Sequence, residues 1–171
     1  MQMHTMLEES SFNQSSGIIV LGFKRRRNGR KTVASVAGLH FDGEILIEEM
    51  TYSWTDGGGR LRTDPPITPG SADGAIGVYT RLTSIAPVLG VAMPQVLPHS
   101  VSRIIPKMNP SKFAEIARTV AVTNCALLAR LSSQDAQRFC EGACPHSPEL
   151  IWTTFDRQMA NEIRSALSVR L

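Results

Sequence analysis

The chain is organised around residues 18–37, which read IIVLGFKRRRNGRKTVASVA. Two β-prone apolar runs flank a basic stretch with Asn28-Gly29 at its centre. An Asn-Gly pair between such runs is the strongest short-range hairpin signal, because a tight hairpin turn needs positive φ at both central residues. The pattern therefore predicts a first strand at about 17–24 and a second at about 31–41, joined by a basic turn.

The basic stretch concentrates the positive charge of the chain. The chain has 18 Lys and Arg against 15 Asp and Glu, and without this stretch 12 cations would face the same 15 acids. Adjacent like charges repel, so the arrangement costs stability unless an anion relieves it. One or two cations would fit a solvated loop or a protected strand edge. Six in eight residues predict contact with nucleic-acid phosphates, with RNA as the expected kind, through Lys24, Arg25, Arg26, Arg27, Arg30 and Lys31.

Composition places the chain among globular proteins. Its 171 residues are 42% hydrophobic and 19% charged, which suits one domain with a real core. The N-terminus, residues 1–9, has no basic segment followed by an apolar block, and no run approaches the ~20 apolar residues of a membrane span. Three cysteines, an odd number, favour a reducing compartment. We therefore expect a cytoplasmic or otherwise intracellular protein without a disulfide framework.

A second turn signal follows the basic stretch. Asp42-Gly43 precedes a predicted strand over 44–54, in which Leu46, Met50, Tyr52 and Trp54 share one face and the other face is wet. Tyr52 and Trp54 could stack on bases, but residues at this period are more often core. Three strands joined by Asn-Gly and Asp-Gly turns make an antiparallel meander.

In residues 55–106, the prolines and glycines are the main signal for secondary structure. Proline and glycine density predicts a loop over 55–74, followed by a strand at 75–83 and short packed pieces over 84–106.

The last third changes to helical patterns. Asn109-Pro110 predicts the start of a helix that runs to about Arg130. Ser132 caps a short second helix that Gly142 ends, and Ser147-Pro148 opens a third helix that runs to about Ser168. Strands first and helices last predict the α+β class. We expect a mobile arm at 1–16 and one α+β domain over 17–171, β-rich over 17–106 and helical over 109–168.

One cluster has the residue types of a metal site: Cys140, Cys144 and His146. Structural zinc needs four ligands, and no spacing selects a fourth. Small buried cysteines and a loop histidine explain the pattern equally well, so we expect neither metal nor cofactor. A small metalloenzyme built on this cluster remains an alternative.

No catalytic frame is present in the sequence. The four histidines lie in unrelated contexts, and the adjacent Glu48 and Glu49 should point to opposite faces of a strand. We therefore predict a non-enzymatic structural or assembly protein, of coat or nucleocapsid type, that binds nucleic acid.

Self-association is expected from the predicted meander. The first strand, with almost no charge or proline, would leave an edge that a second copy could pair with, giving a homodimer or larger assembly. The alternative use of the basic turn is a matrix-like role at an anionic membrane surface, with Phe23 dipping into the interface.

Overall fold

The computed structural model describes residues 16–56, 61–63 and 125–168. The strand predicted at 75–83 and the packed pieces at 84–106 lie outside these residues. So do the arm at 1–15 and the helix predicted from Asn109 as far as Asn124.

The described residues form one antiparallel sheet, with two helices between its strands and a third after the last strand. The strands are β1 (Ser16–Phe23), β2 (Ile47–Thr55), β3 (Leu61–Thr63), β4 (Cys125–Ser132) and β5 (Glu149–Thr153). The helices are α1 (Arg26–Phe41), α2 (Ser133–Ala143) and α3 (Arg157–Ser168), with a single 3-10 turn at Cys144–His146. The predicted α+β class is confirmed.

The strand order is β3-β2-β4-β1-β5, and every neighbouring pair is antiparallel. β1 and β2 are therefore parallel with β4 between them, and β4 and β5 are parallel with β1 between them. The units β1-α1-β2 and β4-α2-β5 are thus both split βαβ units, which is the succession of a ferredoxin-like fold. β3 and residues 64–124 are inserted between the two units.

The predicted basic hairpin is wrong. Residues 26–41 form α1, and β1 pairs with β4 and β5 instead of β2. The buried residues of α1 are Gly29, Thr32 and Val36, which recur at helical spacing. Asp42-Gly43 does form a turn, with Gly43 at φ +79°, but it connects a helix to β2.

Gly29 is required by packing and not by a turn. A Cβ at this position would lie 2.6 Å from Tyr52 Oη and 2.7 Å from Tyr52 Cε2. Tyr52 is fully buried in β2, so the ring has no room to yield. The missing side chain therefore lets the start of α1 lie directly against the sheet.

Two alanine substitutions in α1 test this interpretation. Gly29→Ala is expected to lower the free energy of unfolding by about 1–2 kcal/mol, because overpacking outweighs the better helix propensity of alanine. Gly38→Ala is the matched control, since nothing lies within 4 Å of its Cβ position. It should stabilise the protein by up to about 1 kcal/mol. Equal effects of the two changes in urea denaturation would contradict the packing role of Gly29.

Two strands, β4 and β5, lie in the part of the chain that was predicted as helical. The helix predicted to run to Arg130 is replaced from Cys125 onward by β4. This strand is apolar from Cys125 to Ala129, where both of its faces are buried. The helix predicted from Pro148 begins only at Arg157, after β5, and Asp156 Oδ1 accepts a hydrogen bond from the Met159 amide at its start. The short helix predicted after Ser132 is confirmed as α2.

The core lies between the sheet and the helices. It contains Ile19, Leu21 and Phe23 of β1, Met50 and Tyr52 of β2, and Phe139 and Ile163 of α2 and α3. The other face of the sheet is buried too, including Val20 and Leu128. The wet face predicted for β2 is wrong, since Glu49, Thr51 and Ser53 are each only 2% exposed. Within the described ranges, no helix is long and apolar enough to cross a membrane.

Candidate nucleic-acid interface

The six predicted cations lie together at the start of α1. Lys24 and Arg25 form the connection from β1, and the other four occupy the first turns of the helix. All six are exposed. We call them the cationic cluster: Lys24, Arg25, Arg26, Arg27, Arg30 and Lys31.

The helix itself adds to the positive potential. Arg25 is the N-cap residue and makes no side-chain capping bond, and the first turn contains no acidic residue. The first amides of a helix carry the positive end of its macrodipole, where a cation is unfavourable and an anion is favourable. At this end of α1, neither a capping side chain nor an acidic residue of the first turn offsets the repulsion among the six cations.

The cations of α1 form two rows. Arg26 and Arg30, one turn apart, lie over the ring of Trp54, with Cζ 4.7 Å and 5.7 Å from the ring centroid. Arg27 and Lys31 form the adjacent row on the helix surface. No carboxylate among the described residues forms an ion pair with Arg27 or Lys31.

Lys24, one of the two cations outside these rows, has a weak partner in Glu149. Lys24 Nζ lies 3.6 Å from Glu149 Oε1, and both side chains are largely exposed. Such surface pairs contribute little free energy, so Glu149 does not neutralise the cluster.

β2 holds the start of α1 in place. Tyr52 Oη donates a hydrogen bond to the Arg26 carbonyl oxygen (3.2 Å), next to the close contact with Gly29. Tyr52 is core, as the sequence pattern favoured. Trp54 is half-buried and packs against the core, so its ring is fixed to the sheet beneath the two arginines.

The buried thiol of Cys125 lies on β4, at the position paired with Trp54. Cys125 Sγ donates to the Phe23 carbonyl oxygen (3.3 Å). Burial raises the pKa of Cys125, against smaller opposing effects of a Tyr52 hydrogen bond and of Arg26 and Arg30. Cys125 therefore remains a neutral packing residue.

The cysteine and histidine side chains of the candidate metal cluster point to different partners. Cys140 is fully buried in the core, and burial raises its pKa to about 12. Cys144 Sγ donates to the Leu167 carbonyl oxygen (3.5 Å), and His146 Nε2 lies 3.0 Å from Ser35 Oγ. In the part of the chain that the structure describes, no group of three or more His, Cys, Asp or Glu residues could hold a metal ion.

A carboxylate pair that the sequence argued against is present in β2. A register irregularity at Glu48 interrupts the pairing with β4 between Ile47 and Glu49. Glu49 Oε2 contacts Arg130 Nε directly, and Glu48 Oε2 lies 3.6 Å from the same nitrogen. Ser16 Oγ donates to Glu48 (2.9 Å), which connects β1 to the same network. We interpret this group as structural, because the arginine occupies the space between the carboxylates.

Comparison of the chain with known protein families, curated proteins and solved structures finds no match. No protein-family model matches the sequence, and no curated protein or solved structure is significantly similar to it. The function is therefore argued from the site alone.

Proposed function

We propose that the protein binds nucleic acid through the cationic cluster and acts as a non-enzymatic structural component of a nucleoprotein assembly. The observation that carries the proposal is the exposure of six cations at the uncapped, positive end of α1. Four of them are arginines, whose planar forks suit phosphate oxygens. The cluster offers contacts to phosphates, which RNA and DNA share, so binding should depend little on base sequence.

The positions of the exposed apolar side chains favour nucleic acid over a membrane surface as the partner of the cationic cluster. Phe23, expected to dip into the lipid interface, is 1% exposed and belongs to the core. The large exposed apolar side chains of the described residues are Phe41 and Leu46. Phe41 lies at the other end of α1, about 20 Å from Arg26 at the helix rise per residue. Among the described residues of α1, the cationic cluster therefore has no large exposed apolar neighbour of the kind that a lipid interface would use.

Self-association remains a proposal, but its original reason is wrong. β1 lies between β4 and β5, so it is not an edge strand. The outer strands of the described sheet are β3 and β5, with three and five residues, and short edge strands are a common protection against pairing. A particle mass near 18.7 kDa in light scattering after nuclease treatment would contradict a homodimer or larger assembly.

The salt dependence of oligonucleotide binding tests the function. We expect the protein to bind short labelled single strands of RNA and DNA. Six phosphate contacts give a log–log slope of about −4 to −5 against salt concentration. Anisotropy titrations between about 50 and 200 mM salt measure it. A slope near zero, or binding to anionic vesicles without binding to either oligonucleotide, would contradict the proposal.

A further inference from the structure

Trp54 holds two of the six cations of the cluster. Arg26 and Arg30 lie one helical turn apart on α1, and both guanidinium groups lie over the same indole ring at 4.7 Å and 5.7 Å from its centroid. The contact connects α1 to β2 within the first βαβ unit, since the arginines belong to α1 and Trp54 belongs to β2.

The ring is a rigid support. Trp54 pairs with Cys125 of β4 on one side and with Arg62 of β3 on the other, so its backbone is held by both neighbouring strands. Its half-buried side chain packs against the core. The arginines therefore lie on a support that the sheet fixes.

The chemistry of the contact leaves the arginines able to bind. A guanidinium over an aromatic ring uses its face, while its N–H donors point outward in its own plane. Those donors are the groups that grip phosphate oxygens. Holding a long side chain in place before binding removes part of the entropy cost of ordering it on the ligand.

The neighbouring row provides a built-in comparison. Arg27 and Lys31 have the same spacing on the same helix, and they make no ring contact within the described residues. If ring contact matters, the two rows should respond differently to changes at Trp54.

We propose that Trp54 is a positioning residue of the phosphate-binding site, which pre-orders Arg26 and Arg30 for the polyanion. The inference rests on the proposed function and deepens it by assigning the two arginines as the ordered part of the site. Trp54 itself need not touch the ligand.

The first test measures oligonucleotide affinity in Trp54 variants. Trp54→Leu is expected to weaken binding about five- to tenfold, and Trp54→Phe, which keeps an aromatic face, should restore most of the loss. In the background Arg26→Gln/Arg30→Gln, Trp54→Leu should cost nothing further. In the background Arg27→Gln/Lys31→Gln, Trp54→Leu should still weaken binding about five- to tenfold. A loss that is equal in both backgrounds would show a general structural role and overturn the proposal.

The second test separates positioning from base stacking. Inorganic polyphosphate has no bases, so Trp54→Leu should weaken its binding by a similar factor. A loss for the oligonucleotide alone would mean that bases stack on Trp54, which would overturn positioning through the arginines.

The third test reads the ring directly and does not require the leucine variant to fold. Trp54 and Trp152 are the two tryptophans of the chain, and Trp152 lies on β5. In Trp152→Phe the emission reports Trp54 alone, and it should change with polyphosphate over the same concentrations as binding. Unchanged emission at saturation would overturn the proposal. Failure of the native protein to bind either polyanion would instead remove the proposed function, whereas binding that ignores Trp54→Leu removes this inference only.

Discussion

Removing half of the cationic cluster is expected to weaken oligonucleotide binding about hundredfold at about 0.1 M salt. The variant is Arg25→Ser/Arg27→Gln/Lys31→Gln, which keeps the row on Trp54. Three lost phosphate contacts should reduce the log–log salt slope from about −4 to −5 to about −2. Because the lost term comes from counterion release, the binding curves of the two proteins should converge toward about 1 M salt. Anisotropy titrations at several salt concentrations measure both quantities.

The same variant should be more stable than the native protein. It relieves like-charge repulsion at the positive end of α1, and Arg25→Ser places a good capping side chain where the arginine makes no capping bond. We expect a gain of about 1 kcal/mol in the free energy of unfolding. A variant that loses binding by unfolding would lose both properties, so weaker binding with higher stability identifies the cluster as functional.

A matched control separates local from overall charge. Arg138→Gln/Arg157→Gln/Arg164→Gln removes three exposed cations from α2 and α3 and changes the net charge by the same amount. It should leave the salt slope nearly unchanged. Equal losses in both triple variants would mean that net charge, and not the cluster, attracts the polyanion.

The sequence predicted elements whose signals are local. β1 was predicted at 17–24 and lies at Ser16–Phe23, and α2 follows its predicted cap. The basic hairpin failed because Asn28-Gly29 has two physical explanations. A tight turn needs glycine for positive φ, whereas α1 needs it for the approach to Tyr52, which lies 23 positions further along the chain. The close approach to Tyr52 depends on tertiary packing, which a local sequence pattern such as Asn-Gly cannot show.

β4 failed for a related reason. A short continuous apolar run fits a buried strand and a buried helix equally well, and its place between β1 and β2 decides the matter. Exposure of the cationic cluster could be predicted, since six neighbouring cations cannot be buried together. The contact of Trp54 with Arg26 and Arg30 could not be predicted, because it requires α1 to lie across the end of β2.

Arg130 is expected to have the largest single effect on stability. Its Nε contacts the carboxylate of Glu49, which is 2% exposed, and lies within 3.6 Å of Glu48. Arg130→Met keeps the apolar length of the side chain but removes the cation that contacts a buried carboxylate. Breaking one half of a buried ion pair costs far more than the pair contributes, so we expect a loss of about 3 kcal/mol in the free energy of unfolding.

Two comparisons make this expectation specific to the buried pair. Arg138→Met removes an exposed arginine that lies 3.5 Å from Glu44 and 3.8 Å from Glu141, and it should cost less than about 1 kcal/mol. Glu49→Gln/Arg130→Met removes both charges and should recover part of the loss, which a double-mutant cycle measures. Urea denaturation should show a lower midpoint with an unchanged m value. If Arg130→Met costs no more than Arg138→Met, Arg130 does not compensate the buried charge, and the irregularity at Glu48 is held by strand pairing alone.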